Sequence, residues 1–255
     1  MSKISESTRL EFAETIKPYQ SKILAILAKE KTTLNSINGN APDSCYKKLM
    51  LCDDMIYVSS LYMAQNSLSL KILEVKNNDA LNEARKILYK AIIYLEELAK
   101  YHENIKDKPI QERYYLIRKL GLAITLLEDA FGDNSKWKWS FVELKGRFAV
   151  VAKNLIDMRS AVKSYLNPND ENYETTVLYI RLIGKLLDAS SAGYRDKYEL
   201  STRRIDDMRN AIKFLLARHK LALAIGDKNY AEEVKKKAIV WKEKMDSDQK
   251  SGLSR

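Results

Sequence analysis

The sequence predicts an all-α protein: seven or eight long antiparallel helices stacked as helical hairpins, in a bundle or a short α-solenoid. Three observations lead there. Apolar residues recur at steps of three and four along nearly the whole chain, the period of an amphipathic helix. Only eight Gly and four Pro occur in 255 residues, too few for the frequent turns of an all-β protein. The segments between periodic stretches are short, which makes successive helices antiparallel neighbours.

The first helix is expected within residues 6–37, kinked or broken near Pro18, whose ring removes a backbone donor. The second is expected over about 43–76. Apart from Asp53 and Asp54 it carries no charge between Leu49 and Leu70, which marks a helix central in its bundle. The third, 79–105, shows the seam Leu81, Ala84, Leu88, Ala91, Leu95, Leu98 behind a cap at Asp79. The fourth, 109–131, starts with Pro109 at its first position and carries Ile110, Tyr114, Ile117, Gly121, Ile124 and Phe131.

The clearest pattern is 135–166. Trp137, Phe141, Leu144, Phe148, Val151, Leu155, Met158, Val162 and Tyr165 form a heptad seam that calls for another long helix alongside. Ser135 is the expected N-cap, and Asn167-Pro168 ends the run. Helices over 170–198, 200–225 and 227–246 follow. The 200–225 helix shows Ile205, Met208, Ile212, Leu215 and Ala222 and ends at Gly226. Loops are expected at Asn38-Gly39-Asn40, Lys106-Asp107-Lys108, Gly132-Asp133-Asn134, Pro168-Asn169-Asp170 and Gly226-Asp227. Residues 1–245 thus read as one domain, with 246–255 a disordered polar tail.

Residues 80–91 resemble the second helix of a tetratricopeptide repeat, with Ala84, Leu88 and Ala91 at the family's offsets. Gly226-Asp227 with Ala231 and Ala238 is similar, with Lys235 at the large apolar position. The two places are not separated by a multiple of the ~34-residue repeat. The resemblance therefore implies stacked helical hairpins and no family assignment.

Several function classes are disfavoured. Residues 1–10 carry Lys3, Glu6 and Arg9 and no apolar signal core, and Met55 to Leu70 is interrupted by Ser, Gln and Asn. No transmembrane span is expected, and the cytoplasm is the expected compartment. Cys45 and Cys52 lie two helical turns apart, ~10.5 Å, beyond the ~7 Å a disulfide spans, and read as buried thiols. The isolated glycines build no phosphate-binding loop. The two His, His102 and His219, lack the acidic and histidine partners of metal sites. No cofactor or metal is expected. An enzyme would have to assemble from Asp53, Asp54, His102 and His219, which read more simply as ion pairs, a helix-end cation and a core imidazole.

Charge is the positive signal. The chain carries 44 Lys and Arg against 34 Asp and Glu, a formal +10. Cations interleave with aromatics in Lys136-Trp137-Lys138-Trp139 and Arg113-Tyr114-Tyr115. Such surfaces attract acidic proteins or phosphate backbones. The 15 Tyr include Tyr165, Tyr173, Tyr179, Tyr194 and Tyr198 around one helix, where Gly184 and Ser191 admit a close neighbour, either internal or docked.

The expected function is a non-catalytic binding or scaffold protein. It docks a protein partner with an acidic surface through Arg113, Tyr115, Lys136, Lys138, Trp139, Arg147, Arg203 and Arg204. The alternative is a nucleic-acid-associated helical protein using the same basic faces. The seams also leave a homodimer open.

Overall fold

The computed structural model describes residues 5–37, 42–98, 108–132 and 135–253. Among them the chain is all-α, with no strand. The helices are α1 (Glu6–Asn35), α2 (Pro42–Leu73), α3 (Asn78–Leu98), α4 (Ile110–Phe131), α5 (Lys138–Asn154), α6 (Met158–Tyr165), α7 (Tyr173–Lys197), α8 (Ile205–Ala224) and α9 (Lys228–Lys250), with a π-helical turn at Tyr198–Thr202 between α7 and α8. The loops expected at 38–40, 106–107 and 133–134 lie outside the described residues. No described helix is long and apolar enough to cross a membrane.

The chain separates into two compact units where the sequence reading takes one domain. Unit 1 is Met1–Lys108 with Tyr115–Ser135, and unit 2 is Pro109–Tyr114 with Lys136–Arg255.

In unit 1, α2 packs against both α1 and α3. Its buried Leu51, Cys52, Met55, Ile56, Val58 and Ser59 share one broad face, while Met50, Tyr57 and Leu70 of the same helix are exposed, so part of its apolar sequence lies outside the core. Of the kink or break expected near Pro18, the break does not occur: α1 continues through the proline as one helix. Ile16 and Ile23 bury one side on both flanks of the proline, and Pro18 itself faces solvent. Packing thus holds the turn that the missing N–H weakens. The third member of that stripe is Glu30, which is 4% exposed. Tyr94 donates to its carboxylate and Lys90 pairs with it at 2.6 Å. The start of α3 is capped by Asn77, whose Oδ1 accepts from the Ala80 N–H at 3.0 Å, rather than by Asp79. The Asn77 N–H in turn donates to Asn66 Oδ1 at 2.9 Å. Lys76 Nζ donates to the Phe131 carbonyl at the end of α4 at 2.8 Å, satisfying an orphan acceptor.

In unit 2, α7 packs against α5, α6 and α8, and α8 against α9. The single helix expected over 135–166 is two helices. It starts at Lys138, with Trp137 rather than Ser135 at the cap, and breaks at Leu155–Asp157. Asp157 causes the break: its side chain accepts from the Arg159 N–H at 3.2 Å and from Ser160 Oγ at 2.7 Å, starting a new helix inside the heptad. The seam of α7 is internal packing. Tyr179, Ile183, Gly184, Ser191, Tyr194 and Tyr198 are buried, and Tyr194 stacks on Phe214 at 5.7 Å.

The α8–α9 turn follows the sequence reading. Gly226 has φ +84° and the Asp227 N–H reaches the Ala222 carbonyl at 3.0 Å, a glycine-terminated helix end. His219 Nδ1 donates to the Ala231 carbonyl at 2.9 Å across the hairpin. The polar tail is a further correction. The α9 helix continues to Lys250, because Asp248 is buried and accepts from Tyr198 Oη at 2.8 Å and Lys244 Nζ at 3.2 Å. A single buried carboxylate anchors the segment expected to be free.

Candidate functional site

The basic character belongs almost wholly to unit 2. Within its bounds lie 26 Lys and Arg against 17 Asp and Glu, a formal +9, which leaves 18 against 17 in unit 1. The net positive charge is therefore concentrated in one part of the chain, a bias that favours anionic partners.

Of the eight residues expected to bind a partner, one is buried and the other seven are exposed or half-buried. Arg113 is buried at 9% exposure, and its Nη1 donates to the Leu155 carbonyl at 2.8 Å. It is a structural cap and unavailable for docking. Burial, the larger cause, pulls its pKa down, against the opposing fields of Tyr179 and Asp157. Tyr115 is 64% exposed but belongs to unit 1. Lys136 and Lys138 are exposed, each with its ammonium over the neighbouring indole, at 5.4 Å from Trp137 and 5.2 Å from Trp139. Trp139 and Arg147 are half-buried. Arg203 and Arg204 are exposed where the π-helical turn meets α8. Arg203 adopts φ +52° and lies 5.8 Å over the Tyr198 ring.

The candidate enzyme residues are separately occupied. Asp53 pairs with Lys119 at 2.5 Å and Asp54 with Lys29 at 3.0 Å. His219 ties the α8–α9 hairpin, and His102 lies outside the described residues. Among the described residues no group of three or more His, Cys, Asp and Glu could hold a metal ion. Cys45 and Cys52 are free and buried. Burial pushes the Cys52 thiol well above its ordinary pKa, which keeps it inert.

Unit 2 carries a groove of about 450 Å³. One wall is a stripe of α8: Lys213, Leu216, Ala217, Lys220, Leu221 and Ala224. The other comes from Lys153 at the end of α5 and Met158 at the start of α6. The stripe follows i, i+3, i+4, i+7 spacing over twelve residues, ~16 Å of helix. It lies beside the buried seam of α8, and Leu216 is 45% exposed along it.

Three lysines thus share an apolar floor. None of the three has a carboxylate partner among the described residues. Burial, and then the charge of Lys220, pull the Lys153 pKa below its ordinary value. The groove is short of negative charge, and an anion entering it meets attraction without first displacing an ion pair. Lys153 is one of many basic residues in its stretch of sequence, so nothing singles it out there. The α8 stripe was readable as a second periodic face beside the core seam, but its lysines read as ordinary solvated residues.

None of the curated proteins matches the chain. Among solved structures the chain is similar to one described as "DHF58 filament", at 15% identity and a TM-score of 0.38, with 97% of this chain and 99% of that chain covered. A family model matches residues 8–249, from the first turns of α1 to the last of α9, and the chain belongs to the TP0443 family.

Proposed function

We propose that this chain is a non-catalytic helical binding protein that docks an acidic protein partner on unit 2. The groove of Lys153, Lys213 and Lys220 is the anchor. Lys136, Lys138, Arg203 and Arg204 extend the positive field and steer the encounter.

One observation carries this reading: three lysines around one apolar groove lack any carboxylate partner among the described residues. Like charges held together beside apolar surface are unfavourable until an anion joins them. An acidic protein segment supplies both complements, carboxylates for the lysines and apolar side chains for Leu216 and Met158. A phosphate backbone supplies only the first. The free buried thiols agree with work in the cytoplasm.

The test is cross-linking capture from the cells the protein comes from, with the full chain as bait beside its K213E/K220E variant. Both lysines are exposed, so the variant keeps the fold, as circular dichroism will verify. A defined acidic protein captured by the native bait and lost from the variant supports the reading. The same proteins on both baits, or capture abolished by nuclease, contradicts it.

A further inference from the structure

We propose that the groove takes an acidic amphipathic α-helix of the partner, laid along α8 with two carboxylates spaced two turns apart. This deepens the docking reading and rests on it. Lys213 and Lys220 sit on one stripe seven residues apart, ~10.5 Å along the helix axis. Between them lie Leu216 and Ala217, and beyond them Leu221 and Ala224. The wall therefore alternates cation, apolar step, cation, apolar step.

A second helix matches that order. Residues i and i+7 of a helix share a face to within ~20° and are separated by the same ~10.5 Å. Apolar residues at i+3 and i+4 then fall between the carboxylates, opposite Leu216 and Ala217. An extended strand matches less closely. Its same-face residues recur every ~6.7 Å, so a pair is ~7 or ~13 Å apart, out of step with the two lysines by ~3 Å. A single-headed amphiphile offers one anionic group where the stripe presents two lysines two turns apart. The groove volume of about 450 Å³ is that of a small-molecule-sized cleft, room for a few side chains. Recognition through i, i+3, i+4 and i+7 anchors is the general mode of a helix in a groove.

The experiment uses the full chain and two blocked Ala/Gln-based peptides of equal composition. In the first, two Glu stand at i and i+7 with Leu at i+3 and i+4. In the second, the distal Glu is moved to i+9, on the opposite face. Binding is read by titration calorimetry at low salt, and peptide helicity by circular dichroism. The expected result is at least a tenfold tighter binding of the first peptide, with a gain of helix on binding. K213E/K220E is expected to lose that preference, and K235E on α9 to keep it. Equal binding of the two peptides, no binding of either, or saturable binding of dodecanoate alone overturns the inference. If the bait comparison still distinguishes native chain from K213E/K220E in that case, the docking reading stands and only the helix is lost. If the bait comparison fails as well, both are lost.

Discussion

Arg113 Nη1 donates a 2.8 Å hydrogen bond to the main-chain carbonyl of Leu155, the residue that caps α5. A helix end leaves carbonyls without partners, and this one is buried where water cannot serve it. Removing the guanidinium strands the carbonyl, at a cost of about 1–3 kcal/mol. Arg113→Met is therefore expected to lower the urea midpoint of unfolding with little change in slope. An unchanged midpoint would show that the bond adds nothing.

Tyr198 and Asp248 hold the end of α9 to the π-helical turn. Burial, and then the bond to Asp248, push the Tyr198 hydroxyl up to about 12. The bond from Tyr198 holds the Asp248 carboxyl below its ordinary range, helped by Lys244 and opposed by desolvation. A depressed carboxylate adds stability above its unfolded pKa of ~3.9, and that stability is lost as pH falls through the folded value. A raised tyrosine works at the other end: its contribution is complete below ~10 and fades as pH climbs through the folded value. Asp248→Asn should destabilise the chain at neutral pH and flatten the acid limb relative to the native protein. Tyr198→Phe should flatten the alkaline limb. Parallel stability curves for native protein and variants would reject the coupling.

Gly146 and Gly193 make a controlled pair. A Cβ at Gly146 would lie 2.6 Å from Tyr194 Cε2, whose ring is stacked on Phe214 and cannot retreat freely. A Cβ at Gly193 would meet Val142 Cγ1 at an ordinary 3.4 Å. Gly146→Ala is expected to cost ~1–3 kcal/mol through overpacking. Gly193→Ala should be neutral or gain up to ~1 kcal/mol of helix propensity. Thermal melts of both settle the contrast, and equal effects would refute it.

The buried Glu30 takes Tyr94 and Lys90 as its partners and fastens α1 to α3. Burial, and next the bond to Glu30, drive the Tyr94 pKa upward. Tyr94→Phe leaves the carboxylate short of a donor in a buried place, a loss of about 1–3 kcal/mol. Because α1 buries few other residues, amide exchange should quicken in α1 before α2. Uniform quickening would mean that the contact is not local.

The fold class, most helix bounds and the Gly226 stop were legible in the sequence, because each follows from local periodicity or backbone chemistry. What was not legible depends on distant partners. The heptad through Leu155 continues without a gap in sequence, yet Asp157 caps a new helix and Arg113 satisfies the broken end. Asp248 looks like one more polar tail residue until Tyr198 is seen beside it. Arg113 and Tyr115 read alike as exposed candidates, although one is a buried cap. The +9 of unit 2 emerges only once the fold shows which residues share a unit. The groove lysines come from two separate stretches of chain and were indistinguishable from solvated ones.

The most direct test of the docking account is lysine footprinting of the native chain by reductive methylation, free and in extract from its own cells. Lys153, Lys213 and Lys220 should be protected together in extract, and Lys235, Lys236 and Lys237 on α9 should label equally in both. Full labelling of the three groove lysines in extract would contradict the account.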